Sequence, residues 1–135
     1  MKAQQPSVAA TAAPCPIYII DDDASVRVAL ERLLIAAGIR VRAFPSADAF
    51  LASDAPMEGA CIILDVMMRG LSGLDLCLAL KARKVRANFI FVTAHDTPEA
   101  RQRAREAGAI AYFRKPVDDR ALIDAIEWAR GRGGA

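Results

Sequence analysis

Residues 17–38 read IYIIDDDASVRVALERLLIAAG. The first four residues are a short apolar run that ends in three aspartates, a pattern typical of a buried strand. The next apolar residues recur at helical spacing and stop at Gly38, a typical end of a helix; they are Val26, Leu30, Leu33, Leu34 and Ala37. A strand followed by a helix of this kind is the repeating unit of a parallel sheet covered by helices.

The same unit recurs along the rest of the chain. Short apolar runs predict strands at residues 17–20, 39–44, 60–64, 89–92 and 110–113. After the first helix, helical periods predict further helices at residues 47–52, 73–83, 98–107 and 118–130. On the last of these, the buried face is predicted to include Leu122, Ile123, Ile126 and Trp128. Ser46 and Thr97 stand where helix N-caps are expected, and Pro98 suits a first helical position. The sequence therefore predicts an α/β fold with a doubly wound, five-stranded parallel sheet.

The length of 135 residues fits one domain. We expect a disordered N-terminal tail at 1–14, the domain at 15–130, and a C-terminal tail or linker stub at 131–135. Charged residues make up 25% of the chain and the net charge is only +2, so no overall field favours nucleic acid or a membrane surface. No apolar run approaches the ~18 residues of a membrane span.

The three cysteines are Cys15, Cys61 and Cys77. Their number is odd and no two of them have the C-x-x-C spacing of a metal or redox motif. Two of them fall in segments that are predicted to be a buried strand and a helix. This pattern favours free thiols in a reducing cytoplasm.

Polar residues follow the predicted strands at the points where they end. Three aspartates at 21–23 follow the first strand, Asp65 the third, Thr93 the fourth and Lys115 the fifth. The carboxyl ends of parallel strands share one edge, where ligands bind. Carboxylates ~4 Å apart repel by roughly 4 kcal/mol at an effective dielectric near 20, so such a cluster needs a cation. Oxygen ligands without a neighbouring His or Cys favour Mg²⁺. With the metal and Lys115 in place, a carboxylate could attack a phosphoryl group.

The motifs as a set resemble a known family. They are IIDDD ending at Asp23, LDVMM around Asp65, VTA around Thr93, and AGA followed by YFRKP ending at Pro116. Together they resemble the CheY-like receiver domains of bacterial two-component response regulators, particularly FixJ-type receivers, over residues 17–130. The resemblance implies a flavodoxin-like (βα)5 fold with strand order 2-1-3-4-5. It also implies a phosphorelay signalling domain rather than an enzyme, with at most self-catalysed phosphorylation and dephosphorylation.

The resemblance further implies a role for each acidic residue of the site. Asp65 would accept the phosphoryl group from a phosphohistidine on a sensor histidine kinase or a histidine phosphotransfer protein. Asp22 and Asp65 would ligate Mg²⁺ directly, and Asp21 would hold it through water. Met67 would offer its backbone carbonyl to the metal.

The remaining implied roles concern phosphate binding and output. Lys115 would pair with the phosphoryl oxygens, and Thr93 would donate a hydrogen bond to them. Tyr112 would be an aromatic switch that turns from an exposed to a buried position. The bond between Lys115 and Pro116 would be cis, which proline makes accessible. The surface of the fourth helix, fifth strand and fifth helix would bind a partner or form a homodimer, with no nucleic-acid or membrane contact by this domain itself.

Arg69 is the main departure from the family pattern. A proline commonly stands at this position, four residues beyond the acceptor aspartate, and here Arg69 is followed by Gly70. The loop therefore loses a fixed φ angle and gains freedom. Arg69 could approach the phosphate or point into solvent, and we expect solvent. It is also the one sequence feature that favours a vestigial receiver acting as a pure interaction module.

A different class of protein also fits part of the sequence. Residues 21–25, DDDAS, resemble the Asp-x-Asp-x-Ser motif of haloacid-dehalogenase-like phosphohydrolases. The roles would then be Asp21 as nucleophile, Asp23 as acid/base, Thr93 and Lys115 as phosphate binders, and Asp118 and Asp119 as metal ligands. Residues 118–119 follow a proline rather than an apolar strand, Asp65 has no role in this scheme, and the chain has no room for a substrate-binding cap.

Overall fold

The computed structural model describes residues 15–133 of the chain. Its strands are β1 (Ile17–Ile20), β2 (Arg42–Phe44), β3 (Ala60–Leu64), β4 (Ala87–Thr93) and β5 (Ala111–Arg114). Its helices are α1 (Ala24–Ala36), α2 (Ala47–Ala52), α3 (Gly73–Ala82), α4 (Pro98–Glu106) and α5 (Asp119–Gly133). The strands form one parallel sheet in the order β2-β1-β3-β4-β5, which confirms the predicted fold and strand order.

The sheet is covered on both faces because successive side chains of a strand point to opposite sides. Tyr18 and Ile20 of β1 pack into a core with residues of α2, α3 and α4. Ile17 and Ile19 pack into a second core with residues of α1 and α5. All five residues of the central strand β3 are buried, as expected for a parallel strand between two helical layers.

The second strand is shorter than predicted. It begins at Arg42 rather than at residue 39, because the chain is still closing α1 at that point. Gly38 has a φ of 81°, and the Ile39 N–H donates to the Leu34 carbonyl of the helix at 2.9 Å. Ile39 is buried in this turn, so its apolar side chain is explained by helix closure rather than by strand pairing.

The two predicted N-caps in the middle of the chain are confirmed. The Ser46 hydroxyl accepts the Ala49 N–H at 2.9 Å at the start of α2. The Thr97 hydroxyl accepts the Ala100 N–H at 3.0 Å at the start of α4. These caps satisfy amide groups that have no partner inside their own helices, and so fix where α2 and α4 begin.

The last helix differs from the prediction in two respects. It continues to Gly133, so residues 131–133, which were predicted to fray as part of a tail, are helical. Trp128 was predicted on the buried face but is 51% exposed, because Leu122, Ile126 and Ala129 occupy that face at helical spacing. The predicted N-terminal tail, residues 1–14, lies outside the described residues. No helix within residues 15–133 is long and apolar enough to span a membrane.

All three cysteines are free thiols, as predicted. Cys61 and Cys77 are buried in the two cores. Burial raises the pKa of both thiols to about 12. Since the thiolate is the reactive form, these two residues are inert packing groups at neutral pH.

Candidate functional site

The carboxyl edge of the sheet carries an open cavity of about 410 Å³. Three of its walls come from strand ends: the acidic segment after β1, Asp65 after β3, and Lys115 after β5. The residues that line it are Asp21, Asp22, Asp23, Asp65, Met67, Met68, Arg69, Ala94, His95 and Lys115. The structure thus brings the predicted acidic residues and the predicted lysine together. His95 is exposed and also lines the cavity.

Lys115 joins two of the buried carboxylates. Its Nζ donates to Asp21 Oδ2 and to Asp65 Oδ2, both at 2.9 Å. Only 2% of Asp21 and 5% of Asp65 are exposed, so these charge-assisted bonds are largely shielded from water. Burial acts against the ammonium, but hydrogen bonds to Asp65 and Asp21 outweigh it and raise the pKa of Lys115. Burial raises the pKa of Asp21 despite its bonds to the Asp23 amide and to Lys115.

The second oxygen of each buried carboxylate is held by its own loop. Asp65 Oδ1 accepts the Met67 N–H at 3.0 Å, and Asp21 Oδ1 accepts the Asp23 N–H at 2.9 Å. Both contacts are side-chain bonds to an amide two residues on, a turn that Asp forms readily. Each carboxylate is therefore oriented by local chain geometry as well as by Lys115.

The other two aspartates of the triplet have different partners. Asp23 is the N-cap of α1, where its Oδ1 accepts the Ser25 hydroxyl at 2.7 Å and the Ser25 and Val26 amides at 3.0 and 3.3 Å. These hydrogen bonds, led by the one from the Ser25 hydroxyl, lower the pKa of Asp23. Asp22 faces Arg69 instead: its Oδ2 accepts the Arg69 N–H at 3.1 Å and lies 3.7 Å from Nε.

Gly73 supports the backbone of Asp65, a role that sequence reasoning missed. It is the first residue of α3, and a Cβ built on it would lie 2.1 Å from the Asp65 carbonyl oxygen. The Ser72 capping box fixes the same end of the helix. The end of β3 and the start of α3 can therefore meet only if residue 73 lacks a side chain. A glycine at the start of a predicted helix, just after the loop that follows Asp65, was the available signal.

Thr93 ends β4 beneath the cavity rather than beside it. It is fully buried, and its hydroxyl oxygen accepts the His95 N–H at 3.0 Å. Its backbone carbonyl accepts the Lys115 N–H at 2.8 Å, which ties the ends of β4 and β5 together. The peptide bond between Lys115 and Pro116 is cis. The threonine and the lysine are thus held in a fixed relation by the sheet itself.

Tyr112 lies under an arginine instead of in the exposed position that was predicted for it. The ring is half-buried, and Arg101 Cζ stands 5.2 Å from its centroid. Arg101 is in turn held by Asp96 through two bonds of 2.7 and 2.8 Å. Within the described chain the Tyr112 hydroxyl is buried without a hydrogen bond of good geometry. Burial, and after it the nearby Asp96 carboxylate, raise the pKa of Tyr112.

The acidic residues have the right chemistry for a hard divalent cation. Their donors are carboxylate oxygens, and the cavity is large enough for an ion that keeps several waters. Across residues 15–133, however, no three His, Cys, Asp or Glu side chains are arranged to hold a metal ion. In this structure Lys115 bridges Asp21 and Asp65, while Arg69 contacts Asp22. The donor set fits Mg²⁺.

The metal pair of the phosphohydrolase interpretation is not at the site. Neither Asp118 nor Asp119 lines the cavity. Asp118 instead accepts the Ala121 N–H at 2.9 Å at the beginning of α5. Both carboxylates are exposed. The pair therefore serves the start of a helix, and that interpretation lacks its metal ligands.

A parallel sheet in this order with an acidic cavity at its carboxyl edge is the arrangement of CheY-like receiver domains. The chain matches the family model of the response regulator receiver domain over residues 17–127. It is 39% identical over 117 residues to the transcriptional regulatory protein FixJ of Azorhizobium caulinodans, covering 87% of this chain and 56% of that protein. It is 40% identical over 113 residues to the response regulator protein TmoT of Ectopseudomonas mendocina, covering 84% and 51%. The chain belongs to the response regulator receiver family.

A solved structure agrees with the sequence matches. The crystal structure of FixJ-N superposes with a TM-score of 0.79 at 32% identity, covering 87% of this chain and 94% of that one. The chain spans about half the length of the curated relatives it matches. From its family, the chain is a signalling domain of the two-component type. Members of this family generally bind Mg²⁺ in an acidic pocket and interact with histidine kinases.

Proposed function

We propose that Asp65 accepts a phosphoryl group from a phosphohistidine on a sensor histidine kinase or a histidine phosphotransfer protein. The observation that carries the proposal is the Asp65 carboxylate itself. It is almost fully buried at the floor of an open cavity, with one oxygen bound to Lys115 and the other to a loop amide. A carboxylate oxygen would attack phosphorus and form an acyl phosphate, while the P–N bond breaks and its electron pair stays on the imidazole nitrogen.

The neighbouring residues supply what the transferred group needs. Lys115 already contacts Asp65, so its ammonium is in place for a phosphoryl oxygen. The Thr93 hydroxyl accepts a bond from the His95 amide, which leaves its own proton free to donate. We assign Asp22 and Asp65 as direct Mg²⁺ ligands, with Asp21 acting through water and Met67 through its carbonyl. When bound, the metal would neutralise charge on the carboxylates and the phosphoryl group.

Phosphorylation in vitro tests the assignment of Asp65. Acetyl phosphate and Mg²⁺ should add one phosphoryl group to the protein, detected by intact-mass analysis. Asp65→Asn should take up none, whereas Asp54→Asn, at a carboxylate that is 96% exposed, should label normally. Equal uptake by Asp65→Asn would mean that another residue accepts the phosphate. No uptake by the unmodified protein would favour a vestigial receiver, and continuous release of phosphate from simple phosphomonoesters would favour a phosphohydrolase.

We also propose that phosphorylation changes the surface formed by α4, β5 and α5. The phosphoryl group adds about −1.5 to −2 charge, which would attract the Thr93 hydroxyl and Lys115. Because Tyr112 is already half-buried under Arg101, the response would be a rearrangement of the Tyr112–Arg101–Asp96 cluster rather than an exposed-to-buried turn. This surface would bind the partner or a second copy. Its candidate contact residues are Arg101, Arg105, Tyr112 and Arg114.

Substitutions of Thr93 test this coupling. Thr93→Ala should leave phosphate uptake at Asp65 largely intact but reduce the gain in partner affinity or self-association, a coupling of about 1–3 kcal/mol in such switches. Thr93→Ser keeps the hydroxyl and should retain most of the gain. Binding is measured with and without phosphorylation, by calorimetry or by sedimentation for self-association. A full gain in Thr93→Ala would contradict the proposed route.

We take residues 15–133 as the receiver unit, since the last helix runs past the boundary predicted at residue 130. We place the domain in the cytoplasm, in keeping with its free thiols. We propose that the domain itself contacts neither nucleic acid nor membrane, because its charge is nearly balanced.

A further inference from the structure

The loop between β3 and α3 places a cation at the mouth of the cavity. Arg69 donates its backbone N–H to Asp22 Oδ2 at 3.1 Å, and its Nε stands 3.7 Å from the same oxygen. The Arg69 side chain is 93% exposed, while that of Asp22 is 28% exposed. The arginine therefore lies in solvent, as the sequence predicted, but it pairs with an acidic residue that lines the cavity.

Asp22 differs from the other two carboxylates proposed as metal ligands. Lys115 is bonded to Asp21 and Asp65 and makes no ion pair with Asp22. The positive charge next to Asp22 is supplied by Arg69 alone among the ion pairs found in residues 15–133. A divalent cation that takes Asp22 as a ligand would thus approach an oxygen that already has a cationic neighbour and an amide donor.

The backbone turns directly after Arg69. Gly70 has a φ of 76°, and a Cβ on it would lie 2.9 Å from Asp48 Oδ2. The backbone therefore turns sharply next to a neighbouring acidic side chain, in a conformation that a residue with a side chain rarely adopts. Arg69, the residue before this turn, contacts Asp22 through both its backbone amide and its guanidinium.

We propose that Arg69 is a built-in counter-ion that competes with the divalent cation for Asp22 and so sets the metal affinity of the site. This inference rests on the proposed function, because it assumes that Asp22 is a metal ligand. Metal binding would open the contact between the guanidinium and Asp22. Removing the guanidinium would then make the site bind the metal more tightly.

The size of the effect follows from the exposure of the pair. Exposed ion pairs are weak, so the loss of this one should tighten Mg²⁺ binding by about two- to fivefold. The gain should shrink as salt is added, because the interaction is open to solvent and is screened over about 10 Å at 0.1 M ionic strength. Arg69→Lys keeps the charge and should stay closer to the unmodified protein than Arg69→Gln does.

The test is a titration of metal-free protein with MgCl₂, followed by calorimetry at low and high salt. Arg69→Gln should bind Mg²⁺ about two- to fivefold more tightly at low salt. Arg40→Gln is the matched control. Arg40 is exposed and lies just before β2, at the amino ends of the strands and away from the cavity at their carboxyl ends. It removes the same charge from the protein and should leave the affinity unchanged. In the unmodified protein, the amide resonance of Arg69 should shift as Mg²⁺ binds, since its acceptor oxygen becomes a ligand.

Three outcomes overturn the inference: Arg69→Gln binds no more tightly, Arg40→Gln tightens binding equally, or neither Arg69→Gln nor the unmodified protein binds Mg²⁺. Failure of the proposed function is distinguished by a separate measurement. If Asp65 labels normally while Arg69→Gln leaves Mg²⁺ affinity unchanged, only the role of Arg69 is wrong. If Asp65 does not label, the receiver mechanism itself fails in this chain.

Discussion

Replacing Lys115 with methionine tests whether the buried carboxylates depend on its charge. Lys115→Met keeps most of the apolar stem but removes the ammonium that donates to Asp21 and Asp65 at 2.9 Å. Two carboxylates that are 2% and 5% exposed would then be left without their shared cation. In EDTA near neutral pH we expect the free energy of unfolding to fall by about 3–5 kcal/mol, the usual cost of breaking a buried pair from one side.

The loss should depend on pH with a definite sign. Burial raises the pKa of Asp21 in the folded protein, so its charge costs stability above that pKa, and the cost is relieved as pH falls through it. Without Lys115 the penalty on the charged form grows. Lys115→Met should therefore be most destabilised at pH 7–8 and less so at pH 5.

At alkaline pH the change in stability comes from the Lys115 ammonium rather than from Asp21. Hydrogen bonds to Asp65 and Asp21 overcome the effect of burial and raise the pKa of Lys115 in the folded state. The stability that this group contributes is complete below its unfolded pKa of about 10.4 and is lost as pH rises through the folded value. The unmodified protein should show this alkaline loss, and Lys115→Met should lack that component.

Urea denaturation at several pH values, followed by circular dichroism in EDTA, measures both effects. Lys81→Met is a suitable control, since Lys81 is exposed in the last turn of α3 and should contribute less than about 1 kcal/mol. Mg²⁺ should restore part of the stability of Lys115→Met, because a ligand that binds only the folded state stabilises it. If Lys115→Met lowers the free energy of unfolding by less than about 1 kcal/mol, and by the same amount from pH 5 to 8, Lys115 does not neutralise the buried carboxylates of Asp21 and Asp65.

Three further predictions concern the backbone at Gly73 and two residues of the acidic triplet. Gly73→Ala should lower the free energy of unfolding by about 3 kcal/mol or more and impair phosphorylation of Asp65, because its Cβ would meet the Asp65 carbonyl oxygen. The control is Gly131→Ala, which lies in open space on α5 and should be neutral or stabilise the protein by up to about 1 kcal/mol. Urea denaturation measures both free energies. Asp23→Ala should cost about 0.5–2 kcal/mol by removing the cap of α1 while Mg²⁺ affinity, measured by calorimetry, changes little. Asp22→Ala should weaken Mg²⁺ binding with a stability change within about 0.5 kcal/mol, and equal metal losses from both would mean that the ligand is misassigned.

The fold was predictable because the hydrophobic periodicity and the residues that start or end helices agree along the chain. The apolar run Ala60–Leu64 has the length of a strand and is too short for a typical helix. Ser46 and Thr97 marked the helix starts that the structure confirms. The convergence of Asp65 and Lys115 also followed from topology alone, since parallel strands deliver their carboxyl ends to one edge. These inferences need only local patterns and one rule about sheets.

What the sequence did not reveal depends on contacts between distant segments. Arg69 meets an aspartate that is 47 positions away in the chain, and that meeting depends on how two loops turn. The half-buried position of Tyr112 depends on a guanidinium from α4 lying over its ring. Trp128 was misplaced because an apolar residue at a helix edge cannot be assigned to one face until the packing of Leu122 and Ile126 is known. Rotamers and loop conformations carry this information, and hydrophobic periodicity does not.

Both cations of the site, Lys115 and Arg69, already form ion pairs with carboxylates in this structure. Lys115 is shared by Asp21 and Asp65, and Arg69 is paired with Asp22, so these three carboxylates outnumber their two protein cations by one. A phosphoryl group would add about −1.5 to −2 charge to this balance, which Lys115 alone cannot meet while it remains bonded to two carboxylates. The same charges that would make the site receptive to a metal and a phosphoryl group therefore cost the folded protein stability. Substituting Lys115 should consequently alter stability and phosphorylation together, whereas substituting Arg69 at the exposed rim should alter metal affinity with little effect on stability.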